Sequence, residues 1–411
     1  MEKWKRTLYL LVFVQFVAAI GFSSIFPFLT LYVEELGTNS GLSTELLAGL
    51  VFSSAAITMM LTAPIWGALA DRHGRKPMVV RATLGAAVVT ALMAYAQSAE
   101  QLVLLRAAQG AVSGVISAIT ALIASIVPRE RAGYALGLLQ VGLWGGNSVG
   151  PLIGGVAADA FGFGAAFLVT AALLAIAGLV AWRLVDEEFT PLPAAAAGRR
   201  PGFLRAWRHV ISMPGVLPTY TARFLNELAR SVIMPFVPLF VAELMSGESG
   251  VATITGVITA LAAIAGTVAA IYLGRLGDRI GHKRVLIASA VAAALFYLPQ
   301  SQVSAVWQLL ALQALTGFAA GGLMPTLSAL LATYTDPGEE GAVYGLEAAI
   351  MSAARATAPL AGAALVGWLG LRSLFTSTSL LFLLLALVAA RLLPGGRVVR
   401  RQAEAKSAIA R

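Results

Sequence analysis

Five charged residues fall inside long apolar stretches of the 411-residue chain, where an ionised side chain is costly. They are Arg223, Glu227 and Arg230 in one stretch, and Glu347 and Arg355 in another. Spacings of four and three residues place both arginines of the first stretch near Glu227, so this carboxylate can pair along its own helix. The candidate charge partners are Arg223, Arg230 and Arg355. Burial disfavours the charged form of Glu227 whereas a neighbouring arginine favours it, a balance that suits loading and release of a proton. Glu227 is the first candidate for a proton-carrying carboxylate and Glu347 the second, and a static network of ion pairs is the alternative.

A sixth embedded charge, Arg106, lies well inside another apolar stretch, three residues before Gln109. Because a charged group at this depth is costly unless it pairs or meets water, we expect Arg106 to face a polar cleft. In the alternative, Arg106 ties neighbouring helices together through Gln109 or backbone carbonyls.

The stretches that hold these charges are predicted membrane spans. The chain is 58% hydrophobic and 12% charged with a mean hydropathy of +0.82, whereas soluble domains are about half apolar and roughly a quarter charged. A bilayer core of about 30 Å needs roughly 20 apolar residues in helical form. We therefore predict an all-α integral membrane protein with twelve transmembrane helices, at 7–33, 45–70, 77–96, 100–126, 132–158, 163–184, 214–242, 251–273, 284–301, 305–333, 341–367 and 372–393.

Lysine and arginine cluster in every second connection between these spans. The clusters lie at 3–6, 72–76, 129–131, 199–208, 275–284 and 397–411. By the positive-inside rule, both termini and the long middle connection are cytoplasmic. The formal charge of +9 thus reflects membrane orientation, and we expect the lipid bilayer rather than a nucleic acid to be the partner of these residues.

The middle connection divides the chain into two predicted halves. We expect an N-terminal six-helix bundle at 1–185, a cytoplasmic linker at 186–213, a C-terminal six-helix bundle at 214–395 and a basic cytoplasmic tail at 396–411. The linker begins with a Pro/Ala-rich stretch typical of a tether. Its later residues carry a helical stripe that suits a helix in the headgroup region, and an irregular basic tether is the alternative; the stripe holds Phe203, Leu204, Trp207, Val210 and Ile211.

The two halves are internal repeats. A shift of about 207 residues aligns 67–76 with 274–283, and with one more residue Pro27 falls on Pro235 and Pro151 on Pro359. Two parallel halves related by an axis along the membrane normal leave a cleft between them near the midplane. Transporters that are built from parallel repeats bind substrate in this cleft. Aromatic and methionine side chains accommodate apolar ligands of differing shape. Candidates to line this cleft are Phe22, Phe26, Trp144, Asn147, Met234, Phe236, Met324 and Tyr344.

Glycines recur every four residues in the fifth span, at Gly142, Gly146, Gly150 and Gly154. They form one smooth helical face on which another helix can approach closely, while Pro151 bends the segment. We expect a hinge and seal, and ordinary small-residue packing is the alternative.

The connection after the second span combines glycine, aspartate and basic residues. Gly74 permits a turn that a side chain would obstruct, so the basic residues can reach neighbouring helix ends. The alternative is that these basic residues only fix the orientation of the protein in the membrane. We call this connection the gating loop; its candidate residues are Gly67, Asp71, Arg72, Gly74, Arg75 and Lys76, with Asp278 and Gly281 in the repeat copy.

These motifs resemble those of the major facilitator superfamily. The residues 67–76 resemble its loop signature, 105–110 its fourth-helix motif and 142–155 the motif associated with its antiporters, and 26–36 are similar to proton-coupled drug exporters of the MdtG-like branch. The resemblance implies the major facilitator fold of two pseudo-symmetric bundles. It further implies that the loop holds the halves closed on the cytoplasmic side, that Arg106 takes part in proton transfer or senses the protonated carboxylate, and that transport is export.

The expected function is proton-coupled efflux of drug-like or amphiphilic small molecules by alternating access. The protein is expected to act as a monomer in the plasma membrane of a bacterium, with protons as coupling ion and no other cofactor. A transporter of a specific metabolite or lipid-like solute is the alternative, and a membrane enzyme or receptor is a remote one. The chain has no cysteine, and its three histidines have no metal-ligand spacing, so we expect neither catalytic nor metal-binding residues.

Overall fold

The computed structural model describes residues 3–128, 131–187, 203–335 and 340–394. Within these ranges it holds seventeen α-helices, two short 3-10 helices and no strand. The α-helices are α1 (Lys3–Ser24), α2 (Leu29–Leu36), α3 (Thr44–His73), α4 (Lys76–Met93), α5 (Ala99–Val112), α6 (Val115–Ile126), α7 (Ala132–Phe161), α8 (Phe163–Leu184), α9 (Phe203–Ser212), α10 (Val216–Ile233), α11 (Val237–Met245), α12 (Val251–Ile280), α13 (His282–Tyr297), α14 (Val306–Gly321), α15 (Leu323–Tyr334), α16 (Glu340–Leu369) and α17 (Ser373–Leu392).

The described residues contain eleven segments that are long and apolar enough to cross a membrane. The fifth predicted span, α7, is a helix of 30 residues, but its glycines and its polar Gln140 and Asn147 lower its hydropathy below that of the others. With α7 included, the twelve predicted spans are all present as helices, and the expected fold class is confirmed.

Four spans are interrupted, although the apolar pattern predicted a continuous helix for each. The interruptions fall in the first, fourth, seventh and tenth spans, at positions that the internal repeat relates: 25–28 with the 3-10 helix Met234–Phe236, and Ser113–Gly114 with Gly322. Pro27 and Pro235 lack the N–H that a continuous helix requires. Gly114 has φ of +112°, which glycine adopts without strain.

Side chains from other spans bind carbonyls that the interruptions leave free. The Thr30 hydroxyl donates to the Pro235 carbonyl at the break in the seventh span. At the break in the fourth span, the Trp66 indole donates to Ala111 O at 2.7 Å and Arg81 Nη2 donates to Ser113 O at 3.1 Å. The Arg81 guanidinium also lies 3.4 Å from the centre of the Trp66 ring, so the two groups form a stacked clamp.

The helices form two compact units. The first unit comprises 1–198, 234–263 and 359–368, and the second comprises 199–233, 264–358 and 369–411. The predicted boundaries at 185 and 213 stay a prediction, and residues 188–202 and the basic tail lie outside the described residues. We call the connections that the positive-inside rule predicts to be extracytoplasmic the outer connections, among them 37–43, 246–250 and the junction of α7 with α8.

The first unit packs α1 along α7 and α8, α3 along α5, and α4 along α8. Near its outer end, the Phe28 ring contacts the Phe167 ring edge-to-face at 5.1 Å and stacks on Phe163 at 5.9 Å. The Tyr32 hydroxyl, within the same aromatic cluster, lies within hydrogen-bond distance of Met93 O and Ala96 O. These contacts fix the direction of α2 after the break in the first span.

The second unit packs α10 against α15 and α17, and α13 against α14 and α17. The Tyr220 hydroxyl donates to Val343 O at 2.9 Å and thereby ties α10 to α16. The linker residues 203–212 form a helix, α9, in which Val210 is buried while Ile211 is 37% exposed. The side chains of 203–206 lie outside the described residues, so the stripe expected to face the headgroups stays a prediction.

Candidate functional site

Two ion pairs join α10 to α16 within the second unit. Arg223 on α10 pairs through Nη1 with Glu347 on α16, and Arg355 on α16 donates from Nε to Glu227 on α10 at 2.5 Å. The pairs are crossed, because α10 supplies the cation of one and the anion of the other. The four side chains are therefore neutral as a set, and one added proton would leave a net positive charge.

Of the three candidate charge partners, Arg355 of the neighbouring helix pairs with Glu227, and the two arginines of its own helix do not. Arg223 turns to α16 instead, because the long arginine side chain reaches a carboxylate on the neighbouring helix. Arg230 is exposed and forms no ion pair with any described residue. In this structure Arg355 is the partner of Glu227, and the role of Glu227 in carrying a proton stays a prediction.

The two pairs differ in burial. The side chains of Arg223 and Glu347 are only 2% and 15% exposed, and Arg223 Nη2 also donates to Ser328 Oγ of α15 at 2.5 Å. Glu227 is 10% exposed, but its partner Arg355 is 48% exposed. Removing the charge of Glu347 would leave the buried Arg223 without its ion-pair partner. Ionised side chains inside a span face a water-filled cavity rather than lipid, so we infer that water can solvate the half-exposed Arg355 when Glu227 is neutral. The two carboxylates therefore differ in the burial of the cation that each one neutralises.

A neutral polar contact extends the cluster on α10. Asn226 is 1% exposed, and its amide donates to Met324 Sδ of α15 at 3.6 Å. Met324, a predicted cleft residue, therefore lies beside the face of α10 that carries the ion pairs. Tyr344, another predicted cleft residue on α16, is 63% exposed.

Arg106 is buried in the first unit without an acidic partner among the described residues. Its Nε donates to Val51 O of α3 at 3.2 Å and its Nη1 donates to Gln109, whose amide in turn donates to Thr90 Oγ1 of α4 at 2.7 Å. Arg106 thus ties α3, α4 and α5 together, the alternative that the sequence left open. Its role in proton transfer stays a prediction.

The four-residue glycine repeat of α7 lies against the backbone of α1. A Cβ atom added to Gly146 would lie 2.6 Å from Ala19 Cβ, and one added to Gly154 would overlap the Ser24 carbonyl. Gly142 and Gly150 meet α1 in the same way. The close approach that the spacing predicts is present, and its partner helix is α1; the hinge function stays a prediction.

The gating loop is anchored by a carboxylate that the sequence analysis did not select. Both oxygens of Glu187, just after α8, accept from Arg75 N at 2.9 Å, and Oε2 also accepts from Lys76 N at 2.8 Å. Glu187 therefore caps the first turn of α4, where N–H groups lack helical partners. Gly74 has φ of +94°, the turn expected there, whereas Arg72 and Gly67 are exposed and the Asp71 side chain lies outside the described residues.

The repeat copy of the loop uses a different anchor. Lys283 Nζ donates to Ala390 O at 2.9 Å and to Leu393 O at 2.7 Å, at the end of α17. The sequence predicted such a contact for the basic residues of 67–76 and not for Lys283. Gly281 has φ of +99°, and Asp278 is 73% exposed and lies 3.4 Å from His282 Nε2.

The predicted cleft residues of the first unit have different surroundings. Phe26 stacks on Phe52 at 5.9 Å, and the Arg106 guanidinium lies 5.9 Å from the same Phe52 ring. Phe236 is 1% exposed, whereas Phe22 is partly buried and packs against the core of the first unit. Trp144 is exposed, and Asn147 and Met234 are partly exposed.

Two functional contacts were missed because their partners are distant in sequence. Glu187 belongs to the acidic run that opens the linker, and Asp159 lies in the last turn of α7. Asp159 accepts from the backbone at the start of α12. The signal in both cases is an acidic residue close to a helix end, opposite a helix that begins without its own capping side chain.

Known proteins resemble this chain over nearly its whole length. The family model of the Major Facilitator Superfamily matches residues 11–222 and again 219–410. The chain is 36% identical over 379 residues to "Multidrug resistance protein MdtG" of Dickeya zeae (strain Ech586), covering 92% of this chain and 91% of that protein. It is 36% identical over 381 residues to the protein of the same name of Proteus mirabilis (strain HI4320), covering 92% and 93%.

Solved structures show the same fold. A bacterial homolog to the human lysosomal transporter Spinster, in an inward-facing and occupied conformation, has a TM-score of 0.78 at 14% identity and covers 95% of this chain and 98% of that chain. The POT family transporter PepTSo has a TM-score of 0.76 at 15% identity and covers 97% and 99%. The resemblance of the sequence motifs is thereby confirmed, and the chain belongs to the Major Facilitator Superfamily.

Proposed function

We propose that this protein is a secondary transporter that exports drug-like or amphiphilic compounds in exchange for protons. The observation that carries this proposal is the pair of crossed ion pairs between α10 and α16, in which one carboxylate has a buried partner and the other a half-exposed one. The curated relatives at 36% identity, named as multidrug resistance proteins, support the substrate class and the direction of transport.

Glu227 is the residue that takes up the proton. When it is protonated, Arg355 loses its partner but keeps its contact with water, while Arg223 and Glu347 stay paired and preserve the packing of α10 on α16. When a cationic or amphiphilic substrate approaches, the ionised carboxylate is the group that can attract it. Proton and substrate thus compete for one site, which is the condition for exchange.

The proton concentration gradient drives this exchange, and the membrane potential adds to it whenever more positive charge enters than leaves. Moving one proton inward across a potential of 100 mV releases about 2.3 kcal/mol. The bacterial relatives support a location in the plasma membrane of a bacterium, and the alternation of basic connections supports an orientation with both termini in the cytoplasm. It acts as a monomer, because each chain contains both matched repeats.

The gating loop and Arg106 act beside the proton site. The 67–76 loop, fixed through Glu187, holds the start of α4 in place and closes the cytoplasmic side in one state of the cycle. Arg106 keeps α3, α4 and α5 together, and it senses charge because no acidic side chain neutralises it in the described stretches of the chain.

The test is efflux of ethidium from proteoliposomes with an imposed pH gradient. Glu227→Gln should abolish gradient-dependent efflux and should leave a weaker ethidium binding that no longer depends on pH, because the amide keeps the shape of the side chain but carries no charge and cannot exchange a proton. Glu248→Gln is the matched control, since it removes an exposed carboxylate of an outer connection and should transport like the parent. If the parent ignores both dye and gradient, the drug-exporter proposal fails; if Glu227→Gln retains coupling, Glu227 is not the proton site.

A further inference from the structure

The outer end of α12 is capped by a carboxylate from α7. Asp159 Oδ1 accepts from Ala252 N at 3.3 Å and Oδ2 accepts from Thr253 N at 2.6 Å, within the first unit. Backbone N–H groups of a first helical turn have no partner inside the helix, and the helix dipole favours a negative charge there. Asp159 therefore supplies both a hydrogen-bonding and an electrostatic contact between the fifth and eighth spans.

The internal repeat shows that this contact is particular to one pair of helices. The helix that the repeat relates to α12 is α3, and α3 is capped by its own Ser43, whose Oγ accepts from Leu46 N at 3.3 Å. The residue before α12 is Gly250, which has no side chain to serve as a cap. The repeat position of Asp159 is Gly367 on α16, which lacks a carboxylate.

Below Asp159, α7 and α12 meet backbone to backbone. A Cβ atom on Gly155 would overlap the Ala252 carbonyl, and one on Gly256 would overlap the Pro151 carbonyl. The repeat relates this crossing to that of α3 with α16, where the backbones also approach closely: a Cβ on Gly49 would lie 2.8 Å from Pro359 O. Small residues therefore make both crossings possible. The crossing of α7 with α12 has in addition the charged contact of Asp159 with the start of α12.

We propose that Asp159 is a positioning residue for transport: it latches the outer ends of α7 and α12 together and must release α12 when the outer side opens. The inference rests on the proposed alternating-access function. Thr255 on α12 is 1% exposed, so the face of α12 behind the latch is closed to solvent in this state. Loss of the latch shifts the equilibrium toward the outward-open state, while the steric contacts of the glycines remain.

The test uses thiol labelling, for which the absence of cysteine from the chain gives a blank background. Thr255→Cys, a change of similar volume, serves as the reporter, and a membrane-impermeant maleimide is applied to the outside of intact cells. Asp159→Ala should raise the labelling rate about threefold to tenfold, because the loss of a capping side chain changes an equilibrium by about this factor. Asp159→Asn keeps one acceptor oxygen and should give a smaller increase.

Ser43→Ala is the matched control, because it removes a cap on the same side that joins no two spans. It should leave the labelling rate of the Thr255→Cys parent unchanged. Equal rates for Asp159→Ala and its parent, or equal increases for Asp159→Ala and Ser43→Ala, overturn the latch. Should Asp159→Ala fail to give a monodisperse protein, Asp159→Asn decides in the same way. Labelling needs neither substrate nor a proton gradient, so it distinguishes failure of the latch from failure of the proposed exchange.

Discussion

Arg355 donates to Glu227 from a side chain that is 48% exposed, whereas Arg223, the cation of the crossed pair, is 2% exposed. The two carboxylates therefore differ in what remains when each is neutralised. A half-exposed guanidinium finds water, and a buried one does not.

We predict that Glu347→Gln destabilises the protein by about 3 kcal/mol and that Glu227→Gln destabilises it by about 1 kcal/mol or less. The reason is the buried Arg223 charge, which only the first variant leaves uncompensated. Thermal unfolding in detergent measures the difference between the two variants. The double variant Arg223→Met with Glu347→Leu removes both charges and should recover most of the loss; equal midpoints for the two single variants would contradict the assignment.

The effect of replacing a glycine of α7 by alanine should depend on whether that glycine contacts α1. Gly154→Ala should cost about 1–3 kcal/mol, because its Cβ would overlap the Ser24 carbonyl of α1. Gly137→Ala in the same helix meets nothing within 4 Å and should be neutral or stabilising. The expression level and the unfolding midpoint of the two variants measure the difference, and a similar loss in both would show that helix propensity, and not contact with α1, governs the motif.

Glu187 is expected to stabilise the gating loop. Glu187→Ala should lower stability by about 1 kcal/mol, since three N–H contacts at the start of α4 are lost. Asp186→Ala, which removes an exposed charge at the neighbouring position, is the control. Proteolysis at the basic residues of 72–76 should become faster in the first variant only; unchanged cleavage in Glu187→Ala would show that Glu187 does not anchor the loop.

The number and position of the spans could be predicted from the sequence because burial in lipid requires about 20 apolar residues in each. The interruptions at 25–28 and at Gly322 could not, since hydropathy does not report backbone geometry. The glycine spacing of α7 predicted a close approach but not that α1 would be the partner.

The charged residues of the candidate site could be predicted from the sequence, but which residue pairs with which could not. Embedded charge identified Arg355 as one of three candidate partners of Glu227, but the helical spacing pointed to Arg223 and Arg230, because sequence spacing reports contacts along one helix and not across two. Glu187 and its contact Arg75 lie 112 residues apart, so no local pattern connects them.

The clamp of Trp66 and Arg81 on the fourth span has a consequence for natural variation. A substitution at Trp66 in α3 or at Arg81 in α4 changes how Ala111 and Ser113 are held, and so alters the bend of a helix whose own sequence is intact. Lineages of such transporters could therefore diverge in helix geometry, and in the compounds they tolerate, while every residue that touches the compound stays the same.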